Sequence, residues 1–169
     1  MNSICHSLLL LLALSHAQPL TLVELEARSE CQPGWIELPG YGCYLFDLNW
    51  SLDWLQAARN CQKLGGHLVE IETQDEQNGL TSIARIIGED FWIGLTDIGH
   101  DGNYRWMYSG NEVSYTNWAA NEPDGGIPQS CVMMFSGYGY DFGWTDIKCT
   151  EWSAHPLCEA NYYQGRKMY

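Results

Sequence analysis

Phe91-Trp92-Ile93-Gly94-Leu95 (FWIGL) reads as a short strand, an unbroken aromatic and aliphatic run between Asp90 and Asp97. Four other runs share its character: HLVEI (67–71), YRWMYS (104–109), CVMMF (131–135) and WTDIKC (144–149). Upstream the period changes to that of a helix. In SLDWLQAARNCQKLGG, Trp54, Ala57, Ala58, Cys61 and Leu64 recur on one side, with Ser51 as the expected N-cap and Gly65 as the expected C-cap. In TQDEQNGLTSIARIIG, Thr73 and Glu76 form a T-x-x-E capping box. Leu80, Ile83, Ala84 and Ile87 make its buried stripe, and Gly88 ends it. Two helices followed by strands is an α+β pattern. Residues 97–130 carry little regular signal, and a connection that long in a compact domain is usually functional. SGYGYDFGW (136–144) alternates glycine with aromatics and reads as a loop or irregular hairpin.

The 169 residues suggest one domain with extensions. The chain opens MNSICHSLLLLLALSHAQP, where an apolar run too short to span a bilayer precedes small residues. Residues 1–17 are therefore expected to be a signal peptide, although no Lys or Arg precedes the run, and the product is expected to be secreted without membrane insertion. Residues 18–30 read as an N-terminal extension, 31–160 as the domain and 161–169 as a C-terminal tail. Of seven cysteines, Cys5 lies in the leader; the remaining six read as a disulfide framework, whose pairing their number does not settle.

With 21 acidic and 8 basic residues the net charge is −13, which argues against nucleic acid and anionic membranes as partners. It leaves divalent cations and basic partners open. A solvated acidic surface accounts for most of these charges. Asn121-Glu122-Pro123-Asp124-Gly125-Gly126 asks for more, because proline restricts both its own φ and the preceding residue, holding two carboxylates at a set angle. That stretch reads as a loop turn or as half of a cation site. Asn49-Trp50-Ser51 is a glycosylation sequon at Asn49. The sequence contains no G-x-S-x-G, H-E-x-x-H or phosphate loop, and His67, His100 and His155 show no metal spacing, so an enzyme is not expected.

Cys31-x-x-Gly34-Trp35, Cys43-Tyr44, Cys61, Trp92-Ile93-Gly94-Leu95, Glu122-Pro123-Asp124, Cys131-Val132, Trp144-Thr145-Asp146, Cys149 and Cys158 occur in that order. Together they resemble a long-form C-type lectin-like domain over residues 31–159. The resemblance implies two helices, small antiparallel sheets, a long calcium- and sugar-binding loop, and disulfides Cys31–Cys43, Cys61–Cys158 and Cys131–Cys149. It also implies Ca²⁺ in that loop, bound directly by two neighbouring hydroxyls of a sugar. The ligand positions fall on Glu122, Asp124, Gln129, Thr145 and Asp146, with Pro123 expected cis. Gln129 stands where the family has Glu, and Thr145 where it has Asn. The carboxylate count is nevertheless kept, because Asp124 stands where mannose-type sites have Asn. Gln129 and Thr145 still offer oxygens. In the family, Glu-Pro-Asn goes with mannose and Gln-Pro-Asp with galactose. Here Glu122 and Asp124 are both acceptors, so the choice between mannose- and galactose-type glycans stays open.

Tyr138, Tyr140 and Phe142 are candidates to stack on a sugar. Asp97 and Asp101 are candidates for an auxiliary calcium, although Gly125 and Ser130 stand where the family completes that site with carboxylates. The expected function is that of a secreted calcium-dependent lectin binding glycans on cells or microbes, in innate recognition. Weak single-site binding gains from multivalency, so a homo-oligomer is expected. The alternative is a non-sugar-binding protein on the same fold that meets other proteins or a mineral or ice surface.

Overall fold

Asp53, not Ser51, starts the first helix of the computed structural model, which describes residues 31–125, 128–163 and 166–167. Leu52 is still extended here, exchanging backbone hydrogen bonds with Ala154 at 3.0 and 3.1 Å, so the helix cannot begin before Asp53. The Asp53 carboxylate then accepts from the Gln56 amide at 2.8 Å. Helix α1 (Trp54–Lys63) buries Trp54, Ala57, Ala58 and Cys61. Leu64, expected on that face, is exposed, because the chain leaves the helix there and Gly65 takes φ +87°.

Helix α2 (Gln74–Ile87) is capped as its sequence suggests. Thr73 Oγ1 accepts from the Glu76 amide at 3.2 Å, and Gly88, at φ +80°, donates to Ala84. Leu80 and Ala84 are fully buried, with Ile83 and Ile87 packed beside them. Three polar side chains of α2 are buried with partners, among them Thr81, whose Oγ1 accepts from Gln77 Nε2 at 2.8 Å. Gln77 Oε1 accepts from Trp144 Nε1 at 2.8 Å, and Glu76 accepts from the Tyr44 hydroxyl at 2.6 Å.

Strands β1 (Ile36–Leu38), β2 (Gly42–Phe46), β3 (Gly66–Leu68), β4 (Phe91–Thr96), β5 (Arg105–Trp106), β6 (Gln129–Phe135), β7 (Gly143–Lys148) and β8 (His155–Ala160) form one sheet. Its path is β1-β2-β8-β4-β6-β7, with β3 on β8 and β5 on β4. Every pairing is antiparallel except β4 with β8, which run parallel through Phe91–His155 and Trp92–Pro156. A further hairpin joins β9 (Tyr162–Tyr163) to β10 (Arg166–Lys167). YRWMYS contributes only two strand residues, and HLVEI only His67 and Leu68, although Val69–Ile71 remain buried.

The unbroken apolar run of β4 is explained by burial on both faces. Phe91, Ile93 and Leu95 enter a core with Leu80, Val132 and Trp144, while Trp92 enters a second core with Trp54, Cys61 and Met133. Gly94 lies between them, where an added Cβ would meet the Leu68 carbonyl oxygen at 2.8 Å. All three expected disulfides form: Cys31–Cys43, Cys61–Cys158 and Cys131–Cys149. The leader 1–17 and extension 18–30 lie outside the described residues, as does part of the tail 161–169. Among the described residues no helix is long and apolar enough to cross a membrane.

Candidate functional site

Strand β7 carries the anchor of the site. In register with β6, Thr145 faces Met133 and Asp146 faces Val132. The long loop returns to this strand: Trp144 donates to Asn117 at 2.8 Å and accepts from Ala119 at 2.9 Å. Glu122 N then donates to the Ala119 carbonyl at 3.1 Å, so the turn that follows is tied to β7 through its neighbours. Asn121 takes φ +70°, and Glu122–Pro123 is cis as expected. Beyond the proline, Asp124 N donates to Asp146 Oδ1 at 3.2 Å. One carboxylate oxygen from each of Glu122, Asp124 and Asp146 thereby lies within 4.8 Å of the others. Asp146 is buried, Glu122 half-buried and Asp124 exposed.

Three like charges converge with few donors to offset them. Asp146 Oδ2 accepts from the Tyr104 hydroxyl at 3.0 Å. Burial, followed by that bond, pushes the Tyr104 phenol far above its ordinary range, so it stays a donor. Burial also raises the Glu122 carboxyl, and the adjoining Asp146 carboxylate raises it further. The Thr145 hydroxyl and the Tyr140 phenol pull the other way. Glu122 Oε2 is buried and has no hydrogen-bond partner. A buried carboxylate oxygen without a donor, set among other carboxylates, fits a hard divalent cation with oxygen ligands such as Ca²⁺.

Gln129 and Thr145 sit against the same residue. The Gln129 amide makes a long contact of 3.4 Å to the Asp146 carbonyl, and Thr145 Oγ1 one of 3.5 Å. Gly125 makes room for Gln129: a Cβ there would fall 2.5 Å from Gln129 Oε1. The auxiliary pair is less developed. Asp97 is buried, with Oδ2 accepting from Gly102 N at 2.7 Å and Oδ1 unpartnered, whereas Asp101 is exposed. Among the described residues, only Glu122, Asp124 and Asp146 form a group of three or more metal-ligating side chains.

Phe142 is not available to a ligand, because its ring is buried in the core that holds Trp144, where it is 4% exposed. Tyr138 is 89% exposed and Tyr140 half-buried. Asn49 is exposed, but its Nδ2 donates to the buried Asp47 carboxylate at 2.8 Å. Tyr104 is a residue that sequence reasoning placed only in a strand; its partner Asp146 lies 42 residues away, so no local signal could mark it.

A sequence model described as Lectin C-type domain matches residues 51–160. A perlucin-like protein of Mytilus galloprovincialis is 30% identical over 126 residues, spanning 73% of this chain and 78% of its own length. The carbohydrate-recognition domain of cow CD23, solved in the presence of a GlcNAc2Man3 oligosaccharide, superposes with a TM-score of 0.68. It is 31% identical and covers 83% of this chain and 98% of its own. A calcium-independent type II antifreeze protein superposes with a TM-score of 0.65 at 29% identity, covering 76% of this chain and 92% of its own.

Proposed function

The chain belongs to the C-type lectin domain family, and from that premise we propose that it is a secreted, extracellular, calcium-dependent lectin. The observation that carries this reading is the convergence of Glu122, Asp124 and Asp146, with Glu122 Oε2 buried and unpartnered. Bound there, Ca²⁺ would take two neighbouring sugar hydroxyls among its roughly 6–8 oxygen ligands. Glu122 and Asp124 would accept the protons of those hydroxyls. Donors to the same hydroxyls would come from the Gln129 amide or the Thr145 hydroxyl, both beside Asp146. Tyr104 and the Asp124 amide hold the Asp146 carboxylate in place before any ligand arrives. The role is binding rather than catalysis. The partners are mannose- or galactose-type glycans on cells or microbes, met in innate recognition, with avidity supplied by a homo-oligomer.

A glycan array run with and without EDTA tests this reading, which fails if no glycan signal disappears on chelation. A second reading, a non-sugar-binding interaction protein, is favoured by the Gln129 and Thr145 replacements and by the likeness to a calcium-independent antifreeze protein. Calorimetric titration with calcium separates the two: no heat and no rise in melting temperature would favour the second.

A further inference from the structure

A groove of about 560 Å³ opens between α2 and the loops that carry the acidic site. That size falls within the range of small-ligand sites, roughly 300–1,000 Å³. Gln74 and Asn78 of α2, Asn117 and Asn121 of the long loop, and Tyr138 and Tyr140 are among the residues that line the groove. The groove adjoins the acidic site at two points. Asn121 immediately precedes Glu122, and the Tyr140 phenol lies against the Glu122 carboxylate.

The chemistry of the lining is specific. Of the five side-chain amides in the lining, Gln77 is engaged by Trp144 and Thr81, and Gln74 Nε2 donates to Asn78 Oδ1 at 3.0 Å. The Gln74 carbonyl, the Asn78 amino group and the Asn117 and Asn121 amides supply the mixture of acceptors and donors that sugar hydroxyls need. Arg85 and Asp141 are the charged residues among the described lining, and they neutralise each other through two contacts, Nε to Oδ1 at 2.9 Å and Nη2 to Oδ2. Tyr138 stands 89% exposed at φ +52°, its ring centroid 6.4 Å from that of Tyr140 and 5.8 Å from that of Phe135. An exposed ring beside uncharged amides can stack on the apolar face of a pyranose while the amides bond its hydroxyls.

We propose that this groove is the subsite for the second and third rings of a neutral glycan whose terminal ring occupies the Glu122–Asp124–Asp146 site; the inference rests on the lectin reading above. Anionic glycans are disfavoured, because the groove's cation is already paired and the chain carries a net charge of −13.

The test is calorimetry on the purified protein in calcium. The probes are methyl mannoside against mannotriose, and methyl galactoside against a neutral galactose-terminated trisaccharide. One trisaccharide should bind about tenfold more tightly than the methyl glycoside of its own terminal sugar, the gain expected of one ring stack and one or two hydrogen bonds. Tyr138→Asn removes the ring while keeping a residue that tolerates a left-handed backbone. Asn78→Ala acts from an exposed helix position, away from that loop. Each should remove most of the gain and leave methyl glycoside affinity unchanged. Equal affinities for methyl glycoside and trisaccharide, or a gain that survives both substitutions, would overturn the subsite alone. No binding of any probe would overturn the lectin reading and the subsite with it. An equal gain with a sialylated trisaccharide would overturn the assignment to neutral glycans.

Discussion

Replacing Asp124 by Asn separates a cation site from an ordinary acidic loop. The side chain is exposed, and its backbone amide, which donates to Asp146, is untouched by the change. The carboxylate lies within 4.8 Å of both Glu122 and Asp146, so Asp124→Asn removes two of three repulsive pairs. Coulomb's law puts each pair at about 1 kcal/mol in water-like surroundings and about 3–4 kcal/mol at an effective dielectric near 20. Exposure of Asp124 favours the lower figure. In EDTA the variant should therefore be more stable than the parent by about 1–2 kcal/mol, a rise of roughly 3–5 °C in melting temperature. In calcium the order should reverse, because a carboxylate ligand has become a neutral one and affinity should fall at least about tenfold. Differential scanning calorimetry of both proteins, with EDTA and with millimolar calcium, reads both arms. The reasoning is refuted if Asp124→Asn lowers stability in EDTA, or if the calcium-induced shift is unchanged.

Three further outcomes are expected. Glu159 is held protonated up to about pH 8, first by burial and then by the charge of Glu76. The folded state thus binds more protons than the unfolded chain between about pH 4.5 and 8, so stability in EDTA should fall as pH rises through that window, by a few kcal/mol at most. Glu159→Gln should flatten the curve in denaturant melts, and an unchanged slope would refute the assignment. Gly94→Ala should cost about 2–3 kcal/mol by chemical denaturation, because the added methyl meets backbone oxygens of Leu68 and Val69 at 2.8 and 3.0 Å, and backbone gives little. Replacing Cys131 and Cys149 together by Ser should cost about 3 kcal/mol for a cross-link spanning 18 positions. Calcium titration of that variant should also show weaker binding, because β6 and β7, which carry Gln129, Thr145 and Asp146, lose their clamp.

The parts legible in the sequence were those whose cause is local. Thr73, Glu76 and Gly88 bounded α2 because caps are made between residues a few positions apart. Phe91–Leu95 declared a buried strand by composition, and the order of the motifs around it pointed to the family and its disulfides. Where distant partners intervened, local reading failed. Ser51 lost the cap to Asp53 because Leu52 is tied to Ala154, 102 positions away in the chain. Phe142, one of three aromatics in a glycine-rich loop, shares a left-handed backbone with Tyr138, yet it packs into the core while Tyr138 stays exposed, a difference that distant packing partners make.

By itself, the sequence determined the family, the helices and the supply of acidic residues on either side of Pro123 and after Trp144. Tertiary structure decided that Glu122, Asp124 and Asp146 meet, and that an amide-lined groove opens beside them. The reason is that convergence depends on backbone bonds of Trp144 to Asn117 and Ala119, contacts between segments some 25 residues apart that no local pattern encodes. Once those bonds form, the three carboxylates are held together against their repulsion, an arrangement that the unfolded chain does not have.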